Sequence, residues 1–129
     1  MDREMENSKK QTVNNAGIEA PRASQSPFGG VLLKWRLIEF SDTFPLTQIV
    51  MGVIAHDPQG RFSNYRPIMT SNLIGFDLLN MQVHTLNSIY TLSGRGMWVK
   101  LSPVQYEFAI KKHSEAISKI ARSYRKIFH

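Results

Sequence analysis

His56 stands beside Asp57 and His84 beside Thr85, with Ser71 and Ser88 as further hydroxyls. A nucleophilic triad needs a Ser or Thr next to a His whose other ring nitrogen is oriented by a carboxylate. Adjacency in sequence does not supply that arrangement, and no Gly-x-Ser-x-Gly elbow occurs. Metal-free RNA cleavage asks for less: a base to take the 2′-OH proton and a cation to stabilise the phosphorane. His84, His56, Arg61 and Tyr65 would serve it. A His on a strand or turn is more often a hydrogen-bonding surface group, so no catalytic residue is assigned and a small metal-independent nuclease or hydrolase is the third reading of function. His56, Asp57, His84 and His113 share no ligand spacing, and with no Cys in the chain every thiolate zinc or iron–sulfur site is excluded. Neither metal nor cofactor is expected. Gly94-Arg95-Gly96 lacks the third glycine and the βαβ setting of a dinucleotide fingerprint and reads as a turn.

Binding chemistry is better represented. Arg61-Phe62-Ser63-Asn64-Tyr65-Arg66 interleaves two aromatics with two arginines, and Arg95, Trp98 and Lys100 form a second group. Cations that track phosphates beside aromatics that stack bases are what single-strand binding requires. Charge is unevenly spread. The chain carries 16 Lys+Arg against 10 Asp+Glu, and residues 103–129 hold six of the basic and only two of the acidic side chains. Lys111, Lys112, Lys119, Arg122 and Lys126 would extend a phosphate-binding surface formed by Arg61, Arg66, Arg95 and Lys100, with Phe62 and Tyr65 as stacking groups.

Elements must hold these residues in place. The 129 residues suit one domain. No apolar run approaches 18 residues, so no membrane span is expected, and the residues near the start fit no secretory or transit signal. A soluble cytoplasmic protein is the expectation. Residues 1–27 are rich in Asn, Ser, Gln, Lys and Glu without apolar period, and read as a disordered tail. Residues 28–101 read as a small β domain. Val31–Phe40 alternates, with Val31, Leu33, Trp35 and Leu37 on one side and Lys34 and Arg36 on the other. Thr47–His56 contains Gly52 as a bulge or close approach, and Asp57-Pro58-Gln59-Gly60 is a turn. Short strands follow near Ile68–Ser71, Leu73–Asp77, Met81–Thr85, Ser88–Leu92 and Met97–Leu101.

Residues 102–128 read as a helix with Ser102 as N-cap, Pro103 at its first position and Gln105 at the third. Tyr106, Ile110, His113, Ile117, Ile120, Tyr124 and Ile127 step by four and three along one face, opposite the lysines. Such a helix spans roughly 39 Å at 1.5 Å per residue. It packs on the β domain or on a second copy, and His113 within its stripe is a pH-sensitive candidate. The fold expected is α+β: a small antiparallel β-barrel or sandwich of six to seven short strands with one long C-terminal amphipathic helix, an open meander being the alternative.

Thr70-Ser71-Asn72-Leu73 followed by Thr85-Leu86-Asn87-Ser88-Ile89-Tyr90-Thr91-Leu92-Ser93-Gly94-Arg95-Gly96 resembles a pattern in small bacterial and phage proteins of unknown function. It covers about 28 residues, Met69–Gly96, and implies a compact β module in a mobile-element or accessory setting, with no catalytic residues carried over. The leading expectation is thus a non-enzymatic interaction module that binds nucleic acid. A homodimer or protein-binding adaptor using the helix stripe is the alternative.

Overall fold

The computed structural model describes residues 27–42 and 46–128. Apart from Pro27, the tail expected over 1–27 lies outside the described residues. Strand β1 (Phe28–Phe40) is 13 residues long and is the spine of the sheet. Its alternation changes phase at Lys34, whose φ is +52°. Pairing with β2 (Thr47–Ile54) steps from Leu33↔Val53 to Arg36↔Met51, so β1 holds one residue more than its partner there, a β-bulge. The expected face of Val31, Leu33, Trp35 and Leu37 is therefore corrected. Leu32, Trp35 and Leu37 line one core, while Leu33 and Ile38 belong to the clusters on the other side. Gly52 lies opposite the bulge, where a Cβ would meet the Leu33 carbonyl at 3.2 Å, so glycine permits the close approach.

On its other edge β1 has two parallel partners in line. Phe28–Leu33 pairs with β6 (Ile89–Ser93), and Arg36–Phe40 pairs with β7 (Met97–Leu101). Trp35 sits where the two partners meet, and its Nε1 donates to the Gly94 carbonyl at 3.1 Å. The remaining strands are β3 (Arg66–Met69), β4 (Gly75–Asp77) and β5 (Gln82–His84). The order is β3-β2-β1-β6-β5-β4, with β7 joined to β1.

This is one mostly antiparallel, open seven-stranded sheet plus a C-terminal helix, so the α+β class stands and the barrel does not. The physical reason lies at the edges. β4 and β5 are only three residues long, and the link between β3 and β4 makes isolated bonds to either side, Leu73 N to Gln48 O and Ile74 N to His84 O. The sheet curls without a ladder to close it. Its concave side buries Leu32, Trp35, Leu37, Val50, Ile54, Ile68, Val83, Tyr90 and Leu92, so strands from both halves share one core. Phe76 of β4 stacks on Trp98 of β7 across that curl, with ring centroids 6.4 Å apart.

The convex side carries the helix. A 3₁₀ turn, Pro103–Gln105, leads into α1 (Tyr106–Phe128). Gln105 Oε1 accepts from the Ser102 backbone N–H at 3.0 Å, satisfying a group the helix start leaves orphaned. Ile117 and Ala121 are buried against Met51 and Val53, with Leu33, Tyr65, Ile110, Ile120 and Tyr124 packed around them. Tyr106 lies against Phe40 at 5.1 Å, while Ile127 is exposed.

Candidate nucleic-acid interface

The loop after β2 is fixed by one carboxylate. Asp57 accepts from the backbone N–H of Gln59, Arg61 and Phe62 at 2.8, 2.7 and 3.1 Å, and from Arg61 Nε at 3.1 Å. Burial alone would raise this carboxyl, but the Arg61 bond and the three backbone donors outweigh it and hold it below the ordinary carboxylate value. Arg61 also donates to Ser88 Oγ at 2.9 Å, and its guanidinium lies over the rings of Phe62 and Tyr90. Arg61 is thus engaged within the loop, and Phe62 packs against the concave core.

The loop ends at Tyr65, which adopts φ +57°. Its N–H donates to Ile54 O at 2.7 Å, and its carbonyl accepts from Arg125 of α1 at 2.8 Å. Its ring stacks on Tyr124 at 5.5 Å and on Phe128 at 5.2 Å. This double attachment sets Arg66, the next residue, beside the helix. There Ser63, Arg66 and Pro67 face Ser118, Arg122 and Arg125 across an open groove of about 390 Å³. Ser118, Arg122 and Arg125 fall at steps of four and three, one face of a helix. Three guanidinium-bearing side chains and two hydroxyls line the groove, and no carboxylate does. Such a lining can neutralise phosphate and donate hydrogen bonds to its oxygens.

Of the cations named from sequence, Arg66 and Arg122 are brought together here. Lys111, Lys112, Lys119 and Lys126 are exposed along α1. Arg95 is exposed in the β6–β7 link, and Lys100 on β7 lies 3.9 Å from Glu39. Neither of the last two lines the groove. Arg125, Ser63 and Ser118 were missed by sequence reasoning, although the Ser118-Arg122-Arg125 spacing was legible. Of the residues weighed for catalysis, His56 Nδ1 is 3.2 Å from Asn64 Oδ1, Arg61 is on Asp57, Tyr65 is stacked on the helix, and His84 lies on β5 opposite Gly75 of β4 and Ile89 of β6. Among the described residues no group of three or more His, Asp or Glu is placed to hold a metal ion, and no helix is long and apolar enough to cross a membrane.

His113 fastens the helix to β1. Arg36 Nη1 lies 2.7 Å from His113 Nδ1. An arginine only donates, so Nδ1 accepts and the neutral ring carries its proton on Nε2. Burial, then the charges of Arg36 and Lys112, lower the His113 pKa below the ordinary 6.5. The sign follows: the neutral ring's contribution is complete above the unfolded value and is lost as pH falls through the lowered folded one. Between pH 7.5 and 5 the urea midpoint of the wild type is expected to fall more than that of His113→Asn. Parallel pH dependence in the two proteins would rule this out.

Comparison with known proteins gives no match: no protein-family model, no curated protein and no solved structure is significantly similar to this chain.

Proposed function

We propose that the protein is a non-enzymatic module that binds nucleic acid through its phosphates, in the accessory or mobile-element setting that the resemblance implies. The observation that carries this reading is the groove in which Arg66, from the sheet, meets Arg122 and Arg125, from the helix, with no carboxylate in its lining. Exposed Lys119 and Lys126 add charge on the same helix. Binding of this kind releases counterions, so log affinity falls with log salt by about 0.7–0.9 per neutralised phosphate.

The test is fluorescence anisotropy of a labelled mixed-sequence oligonucleotide over a salt series, with wild type and with Arg66→Glu/Arg122→Glu. The double variant is expected to bind about tenfold or more weakly at low salt, with a salt slope smaller by about two. Affinity indifferent to salt and to both charges would end this reading. The adaptor reading draws on Val104 and Phe108, 94% and 77% exposed at the start of the helix. The stripe residues Ile110, Ile117, Ile120 and Tyr124 pack on the protein's own sheet, so a partner would use the exposed residues at the two ends of the helix, Val104 and Phe108 or Ile127. A salt-resistant dimer mass by light scattering, indifferent to added oligonucleotide, would favour it.

A further inference from the structure

Beside the groove lies a cluster of three rings. Tyr65, Tyr124 and Phe128 are nearly parallel, with interplanar angles of 7°, 20° and 19° and centroids 5.2 to 6.2 Å apart. Tyr65 and Tyr124 are half-buried, whereas Phe128 is 59% exposed. The cluster is continuous with the cationic lining, because Arg125 donates to the Tyr65 carbonyl and Arg66 follows Tyr65 in the chain. Phosphate-binding cations and a partly bare aromatic therefore stand on the same two elements, within one residue's reach of each other.

We infer that the groove takes a single strand in preference to a duplex, with an unpaired base stacked on the open surface of Phe128. This rests on the phosphate reading of the groove. A base offers its π-face to a protein ring only when it is free of its neighbours, whereas within a duplex the faces are buried in the stack and only edges and phosphates are presented. A phosphate groove without an adjacent ring would accept either form. The ring cluster supplies the difference, and an exposed phenylalanine at this place is covered when a base occupies it.

The experiment compares a labelled mixed-sequence single strand with a duplex of the same sequence whose two ends are bridged by non-nucleotide linkers, so that no base is unpaired and no end is free. Wild type is expected to favour the single strand by tenfold or more. Phe128→Ala should lower single-strand affinity about tenfold while leaving its salt slope and the duplex affinity unchanged, in line with stacking measured by alanine substitution. Phe128→Trp should retain affinity, and the added indole emission should be quenched on binding. Equal affinity for the two probes, or salt-dependent single-strand binding that ignores Phe128→Ala while Phe128→Trp shows no quenching, overturns the inference and leaves the phosphate reading intact. Absence of any salt-dependent binding overturns both.

Discussion

Asp57→Ala is expected to destabilise the protein by about 3–5 kcal/mol, the range for stripping one partner from a buried ion pair. The Asp57 side chain is fully buried, and its carboxylate is the common acceptor for three backbone N–H groups and the Arg61 guanidinium. Removing it leaves the three backbone N–H groups and Arg61 Nε without their acceptor, while Arg61 Nη1 keeps Ser88 Oγ. Because the Arg61 side chain is 32% exposed, water recovers part of the cost, which points to the lower half of the range. Asp57→Asn should recover some stability by keeping shape and one acceptor oxygen. The pH dependence has a definite sign. Folding holds this carboxyl below its ordinary 3.8, so its contribution is full above that value and disappears as pH falls through the lowered one. Urea midpoints taken from pH 7 to 3 would therefore show two separate declines, His113 acting in the upper part and Asp57 below about pH 4. A loss under about 1 kcal/mol for Asp57→Ala would mean that the loop is held by its core contacts instead.

Trp35→Ala should cost a comparable amount, about 3–5 kcal/mol. The ring is 9% exposed, fills the junction where β6 gives way to β7, and donates to Gly94 O. Gly96 is its floor: a methyl group there would land inside the van der Waals surface of the indole. Gly96→Ala must therefore displace the ring, and should cost about 1–3 kcal/mol or more by overpacking. The decisive measurement is the double variant. With Trp35 already cut to alanine, Gly96→Ala should be nearly neutral, giving a coupling of about 1–3 kcal/mol. Simple additivity would show that the glycine serves its own backbone and not the tryptophan.

The helix was legible from the chain because its signals are local: the Ser102-Pro103 start and the three-four stepping of Ile110, His113, Ile117, Ile120 and Tyr124 survive any tertiary arrangement. The strands were legible for the same reason, but not their pairing. A left-handed Lys34 has no signature, since lysine is not a residue that favours that region. Arg36 does lie opposite Trp35 as the alternation has it, but the helix covers that side and Arg36 meets His113 there. The strand order rests on two parallel pairings between distant segments, which alternation cannot reveal. At the groove, Arg66 and Arg122 stood out as charges, but their meeting depends on how α1 crosses β2 and β3. Arg61 was read as a phosphate-facing cation although Asp57, four residues earlier, was the visible sign of its partner.

The bulge in β1 also bears on how the chain is made. In the finished sheet β1 is an interior strand, but its parallel partners lie far along the chain, Gly94 being 59 residues from Trp35. A chain that emerges from the ribosome amino end first thus holds β1 paired with β2 alone, its other edge bare, until β6 and β7 arrive. Closing so long a loop is slow, and a bare edge is a template for pairing with another chain. Lys34, a charged residue at a left-handed kink midway along that edge, spoils the flat ladder such pairing needs. The residue that re-aims Trp35 in the folded protein is also the one placed to interrupt such pairing.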